Sequence, residues 1–352
     1  MSIPLFTVTM AADAAARVAD VLASGYIGQG SQCEALEAAL APVLGTPEPP
    51  LLLNSCTSAI DLALHLIGVG PGDEVITTPM TCTATNSPIV TRGARPVWAD
   101  VDPATGLIDP ADAFRKITSR TKAIIGVDWG GAPCDYDTLR TPGIPVIQDA
   151  AHGPSGGTRG TYVCWSFQAI KHLTTGDGGA LWCPTEQLER ARLLRWYGLD
   201  RRSKSDFRCE QRIVEVGYKY QSNDIAAAIG LANLPGLAAR IRAARTNAYA
   251  YHLAFAGQPH VRETPWCDAS SYWLYTLLVP DRQGFIAHLA DRGIAASPVH
   301  ARNDIHPAFR FPSGPLPGVD TFAASNVAIP VGHWLTAADV DCIIQAVLEW
   351  TP

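Results

Sequence analysis

Apolar and polar positions recur along the chain with two periods, and the switches between them mark out the elements. Residues 11–23 (AADAAARVADVLA) repeat at helical spacing and stop at Ser24-Gly25. A second helix is predicted over Gln32–Leu44, with Ser31 as its cap and Gly45 closing it. The triplet Leu51-Leu52-Leu53 runs into the polar turn Asn54-Ser55-Cys56-Thr57-Ser58, and a helix from Ala59 to Ile67 follows. Such a junction gathers backbone N–H groups and hydroxyls at a helix N-terminus, which suits an anion.

Strand patterns at Glu74–Thr77, Arg95–Ala99, Ala123–Val127 and Pro145–Asp149 alternate with short helical patterns at Asn86–Thr91 and Ala111–Ile117. Strands and helices alternating at this spacing predict βαβ crossovers and a largely parallel sheet. Ligands of such sheets sit beyond the carboxyl ends of the strands, where Asp149 and the Ser55–Ser58 turn fall. After Lys171 come a glycine-rich turn (174–179), a strand (Ala180–Cys183), an arginine-rich helix (Thr185–Trp196) and a charged loop (Leu199–Glu210). Long helices are predicted over Ser222–Leu234 and Leu237–Ala254, the second crossing into a smaller unit. From Tyr272 the pattern resets: a strand (WLYTLLV), a helix (Gln283–Arg292), a short strand near Ala296 and a final helix (Ala337–Trp350). The expected fold is α/β. A large domain over 1–245 carries a mostly parallel central sheet flanked by helices, and a smaller C-terminal α/β domain covers 246–352.

Composition narrows the classes of function. With 352 residues, 47% hydrophobic and 17% charged, the chain can bury a large core divided between two domains. A net charge of −6 gives no electrostatic case for nucleic acid. The nine cysteines are scattered, odd in number and without a C-x-x-C pair. No metal site or disulfide framework is expected, and a reducing cytoplasm is. No basic stretch precedes an apolar run at Met1–Leu5, and no stretch reaches the roughly 18 unbroken apolar residues of a spanning helix. No membrane association is expected.

Lysine is scarce: of 27 basic side chains only residues 116, 122, 171, 204 and 219 are lysines. Arginine stays protonated and cannot act as an amine nucleophile, so the search for one is short. Lys171 follows an apolar run (CWSFQAI), where desolvation lowers proton affinity and makes an amine reactive toward an aldehyde. Asp149 lies one strand, a turn and a second strand earlier. A carboxylate and a lysine at neighbouring strand ends form the pairing pyridoxal phosphate requires: the acid holds the pyridine nitrogen protonated and the lysine binds the aldehyde. Each alone has a plainer reading, Lys171 as a solvated surface residue and Asp149 as a turn former. Ser55, Thr57 and Ser58 offer hydroxyls and amides to a phosphate, although such clusters also cap helices. His152 is placed to meet a phenolic oxygen or simply to pack. Neither G-x-x-x-x-G-K-[ST] nor G-x-G-x-x-G occurs, which weakens readings as a nucleotide-binding fold.

Seven collinear segments carry a wider likeness: SGYIGQGSQCEALEAAL (24–40), NSCTSAIDLAL (54–64), GDEVITTPMTCTATNSPI (72–89), IQDAAHGPSGG (147–157), SFQAIKHLTTGDGG (166–179), GYKYQSNDIAAAIGL (217–231) and IPVGHWLTAADV (329–340). Over nearly its whole length the chain resembles the DegT/DnrJ-type sugar aminotransferases, a branch of the fold-type I pyridoxal-phosphate enzymes. The resemblance implies that Lys171 is the Schiff-base lysine and proton carrier, and Asp149 the partner of the pyridine nitrogen. It implies His152 beside the phenolic oxygen, and Ser166 with the Ser55–Cys56–Thr57 turn around the phosphate. Lys219 matches a position that reaches the phosphate from the other subunit, which implies a homodimer with shared sites. The implied reaction moves an amino group from a donor, L-glutamate, to a nucleotide-linked keto-sugar. The arginines between 195 and 212, with His300 and Arg302, are candidates for contact with the diphosphate.

Three positions depart from the family pattern. Cys56 replaces a glycine in the phosphate turn, Cys82 stands where an aromatic stacks on the cofactor ring, and Asp177 replaces a glutamate. A subset of the family has histidine at the lysine position and deoxygenates sugars; Lys171 is present here, and His172 is only its neighbour. The competing readings are an aminotransferase for a free cyclitol, a catalytically silent cofactor-binding regulator, and a nicotinamide dehydrogenase on a similar sheet.

Overall fold

In the computed structural model, which describes residues 2–154, 157–203 and 210–352, ten strands form two sheets. Seven belong to the first: β1 (Leu51–Leu53), β2 (Glu74–Thr77), β3 (Arg95–Trp98), β4 (Thr121–Val127), β5 (Val146–Ala150), β6 (Tyr162–Ser166) and β7 (Gly179–Trp182). Their order is β1-β7-β6-β5-β4-β2-β3. Strands β6, β5, β4, β2 and β3 run parallel, and β7 is antiparallel to both its neighbours. The strands read as continuous apolar runs because helices cover both faces. Leu51 and Leu53 pack with the helix Cys56–Ile67 on one face. Leu52 packs on the other with Leu36, Leu40 and Leu44 of the helix Ser31–Leu44.

The second sheet is antiparallel and has three strands, β8 (Arg262–Glu263), β9 (Tyr275–Leu278) and β10 (Asn326–Ile329), in the order β10-β9-β8. Helices Leu237–Phe255, Arg282–Asp291 and Ala337–Leu348 close a separate core over it. Ile3 packs into this core from the far end of the chain and pairs with Ile294. The helix Leu237–Phe255 runs unbroken through position 245.

Several expectations change at their edges. The helices expected from Ala59 and Asn86 begin at Cys56 and Thr83, so each reaches back into the polar turn before it. The strand expected over 273–279 is shorter, Tyr275–Leu278, and Tyr272 just ahead of it takes a positive φ of 49°. The strand near Ala296 is a single bridge between Ser297 and Ala328. Strand β10 and the helix Pro317–Ser325, which opens on proline, carry no clear period and were not anticipated. The charged loop lies partly outside the described residues, as do Lys204 and Cys209. The eight described cysteines are free thiols.

Ser31 is not the cap of its helix. Gly30 holds the N-cap position, and Asp224, from the helix Asp224–Asn233, accepts the N–H groups of Gly30 (2.8 Å) and Cys33 (3.1 Å). A cap supplied from 191 residues away leaves no local signal. Asp224→Ala would strand these two donors, that of Cys33 buried, at a cost of about 1–3 kcal/mol, read as a lowered midpoint in chemical denaturation. An unchanged midpoint would refute the capping role.

The helical run Asp224–Phe255 has the length and apolarity of a membrane span by composition alone. It is interrupted by a tight turn at Leu234–Gly236, and its buried Arg240 donates to the carbonyls of His172 and Asn233. Ala227 of the first helix packs with Leu36 and Leu40, and Ala244, Ala248, Tyr251 and Phe255 of the second enter the C-terminal core.

Candidate active site

The carboxyl ends of the parallel strands meet the second sheet around a cavity of about 450 Å³. Ser55 follows β1, Asp149 lies at the end of β5 and Ser166 ends β6. The antiparallel β7 starts at the same edge, next to Asp177, and Gly179 is what lets it approach: a Cβ there would lie 2.4 Å from the Cys56 nitrogen. Of the residues picked from the sequence, Ser55, Cys56, Thr57, Cys82, Asp149, His152, Ser166 and Lys171 all line this one cavity, and so does His300.

Asp149 is fixed before any ligand arrives. One carboxylate oxygen accepts from the Thr85 hydroxyl at 2.8 Å, the other from the Ala151 N–H at 3.1 Å, and the Cys56 thiol lies at 3.9 Å. Burial pushes its pKa up, and the Thr85 bond works against that rise. Burial also pulls the Lys171 ammonium from 10.5 down to about 8, with the Asp149 charge opposing the fall. Among the described residues the Lys171 amine makes no hydrogen bond or ion pair; its nitrogen sits 3.4 Å from the centroid of the Trp273 ring. A buried amine without a polar partner and with a lowered pKa is an available nucleophile and proton acceptor.

His152 Nδ1 accepts the Gly130 N–H at 3.1 Å, which places the ring proton on Nε2, 3.4 Å from His300 Nε2. Burial holds both imidazoles neutral, His300 at about 4 and His152 well below its usual range. The helix Cys56–Ile67 points its N-terminus at the cavity. Ser55 caps it by accepting the Ser58 N–H at 3.0 Å. Ser58 itself turns inward and donates to Asn54 at 2.7 Å, so it does not reach the cavity as its hydroxyl suggested. The amides of Cys56 and Thr57 remain as anion donors at a helix N-terminus.

A family model described as the DegT/DnrJ/EryC1/StrS aminotransferase family matches residues 8–348. The chain belongs to that family. It is a pyridoxal-phosphate-dependent aminotransferase, built on the fold-type I plan. The spore coat polysaccharide biosynthesis protein SpsC of Bacillus subtilis (strain 168) is 32% identical to it, over 94% of this chain and 92% of its own. The sugar aminotransferase CalS13 from Micromonospora echinospora superposes with a TM-score of 0.93 at 38% identity, covering 99% of this chain and 100% of that one. Spr1654 from Streptococcus pneumoniae has been solved in pyridoxamine- and pyridoxal-phosphate forms. Its pyridoxamine form superposes with a TM-score of 0.89 at 28% identity, over 98% of this chain and 96% of that one.

Three residues singled out from the aminotransferase pattern do not line the cavity of their own chain. Lys219 is exposed, 5.7 Å from the Tyr197 ring centroid. Arg302 is committed to ion pairs with Asp304 and Asp320, which leaves its guanidinium no free edge for a diphosphate. Arg195 is likewise spent on Glu37 and the Leu52 carbonyl.

Other cavity residues escaped the sequence reading. Thr85 lies one helical turn past Thr81 in a segment already singled out, and its hydroxyl could have been suspected. Phe6 and Trp273 could not: one comes from the N-terminus and the other from a run that reads as strand, and they stack at 4.9 Å on the cavity wall. They and His152 supply the aromatic surface that Cys82 does not.

Proposed function

We propose that this aminotransferase moves an amino group from L-glutamate to the keto group of a nucleotide-linked sugar. The observation that carries the reading is the free, buried Lys171 amine in a cavity shared with Asp149 and the N-terminus of the helix Cys56–Ile67. The sugar is taken from the name of CalS13 and, for its place in surface-polymer synthesis, from that of SpsC.

The residues present fit pyridoxal phosphate. Lys171 would bind its aldehyde, Asp149 would face the ring nitrogen, and His152 would lie beside the phenolic oxygen. Ser55, Cys56, Thr57 and Ser166 would hold the phosphate, and Cys82 would border the ring. When bound, the group supplies an aldehyde to carry nitrogen and a ring that withdraws electrons from the donor carbon. The chain supplies the rest. Lys171 Nζ takes the proton from the α-carbon of the donor and returns a proton on the other side of the exchange. Asp149, locked by Thr85 and Ala151, keeps a negative charge opposite a nitrogen that must stay protonated. Phe6 and Trp273, stacked on one another, form an aromatic wall of the cavity beside that exchange.

Lys219 belongs in this reading to the site of a partner subunit in a cytoplasmic homodimer, which accounts for its exposure on its own chain. The division into domains at 245/246 is retained as part of the proposal. Lys219→Ala should weaken cofactor retention several-fold without affecting folding, measured by equilibrium dialysis. Mixing it with Lys171→Ala protein should restore one working site per mixed dimer, and absence of any complementation would rule out the cross-subunit role.

The acceptor is tested directly by assaying nucleotide-linked keto-sugars against a keto-inositol, with L-glutamate as donor. Turnover of the cyclitol alone would replace the sugar by a free cyclic ketone.

A further inference from the structure

The proton work assigned to Lys171 requires its amine to be free for part of each cycle, and an ammonium in this cavity gives up part of its hydration. What the amine meets instead is the face of Trp273, 3.4 Å from nitrogen to ring centroid. That ring is held from several directions. It is 5% exposed, its indole N–H donates to the Ile170 carbonyl at 3.1 Å, and its backbone N–H donates to Gly130 at 2.9 Å. It stacks against Phe6 at 4.9 Å and His152 at 4.3 Å. Ile170 immediately precedes Lys171, so a single hydrogen bond ties the indole to the lysine's own loop. The positive φ of Tyr272, 49°, turns the chain just ahead of β9 and delivers the ring to this place.

We propose that the face of Trp273 is the seat of the Lys171 ammonium whenever that amine is not covalently engaged, and that it positions the amine for proton transfer. The proposal rests on the reading of Lys171 given above. A cation over an aromatic face is drawn by the ring's quadrupole, most strongly for tryptophan and where water is excluded. Trp273 is thus a positioning residue that acts through Lys171. It opposes burial, which disfavours the charged amine.

Other groups face the same amine. Asp149 lies at the end of β5 and His152 just after it, Cys56 comes from the helix Cys56–Ile67, and Cys82 precedes the helix Thr83–Thr91. His300 approaches from the loop after Ser297, His172 is the next residue along, and Asp177 lines the cavity wall. Asp149 is the neighbour whose charge favours the ammonium, while the three histidines are held neutral by burial. An aromatic face adds a fixed direction that a carboxylate reserved for the ring nitrogen cannot.

The test uses full-length protein charged with pyridoxamine phosphate, in which Lys171 is free, with tryptophan or progressively fluorinated tryptophans at position 273 alone. Fluorine drains the negative face of the ring while keeping its shape and its N–H. The proton affinity of Lys171 is read from the pH dependence of its acetylation, followed by peptide mass spectrometry. Across the series it should fall by about one pKa unit, a tenfold gain in neutral amine below that pKa. A titration that does not move with fluorination overturns the Trp273 assignment. Borohydride reduction of the same proteins with pyridoxal phosphate separates this from the parent reading. An adduct on Lys171 with a flat titration removes only the role of Trp273, and no adduct on Lys171 removes both.

Discussion

Lys171→Ala is expected to abolish amino transfer, by at least about 10⁴-fold, since in the proposed mechanism it removes both the group that binds the aldehyde and the base that moves the proton. The fold should survive. The amine makes no hydrogen bond among the described residues, so its loss leaves no polar group unsatisfied, and the thermal midpoint should stay within a few degrees of wild type. The expected protein is therefore folded, able to bind cofactor without a covalent link, and inactive. Substantial turnover in this variant would end the account of Lys171. The wild type carries a related signature. With the free amine brought to about 8 by burial, a step that needs it neutral gains about tenfold per pH unit below that value and levels off above it. This slope should be visible in the half-reaction that delivers nitrogen to the keto acceptor.

Asp149→Asn is expected to lower kcat by about 10²–10³-fold while leaving the cofactor bound. The amide has the size of the carboxylate, and the Thr85 hydroxyl can accept from it where it formerly donated. Packing around the 3% exposed side chain is thus preserved and only the charge is lost. Without that charge the ring nitrogen no longer holds its proton, and the electron withdrawal that eases removal of the α-proton weakens. A rate within a few-fold of wild type, measured in single turnover with glutamate, would show that Asp149 serves as a strand-end residue and no more.

What the sequence could and could not reveal follows from how local each signal was. The parallel sheet was legible because helices cover both its faces, which makes its strands continuous apolar runs such as Ala123–Val127. Lys171 stood out because arginine carries nearly all the other positive charge. Asp149 and Lys171 were legible as a pair because neighbouring strands β5 and β6 bring their ends together, a consequence of topology that sequence spacing preserves. The failures were contacts across the chain. Asp224 caps a helix 191 residues away, Ile3 joins the C-terminal core, and Trp273 reaches Lys171 from the turn just ahead of β9. A periodic pattern says which face of an element is buried and nothing about which distant side chain meets it. Arg302 failed for a related reason: its count as a free cation ignored Asp304, two residues on, and Asp320, a helix away.

The central claim is that Lys171 and its cavity carry an aminotransferase's first half-reaction, and the most direct measurement is the visible absorbance of the purified protein before and after L-glutamate. The account predicts a visible cofactor band that moves to shorter wavelength when glutamate is added and returns with 2-oxoglutarate. Absence of any band after incubation with pyridoxal phosphate, or a band that glutamate and other amino donors leave unmoved, would contradict it.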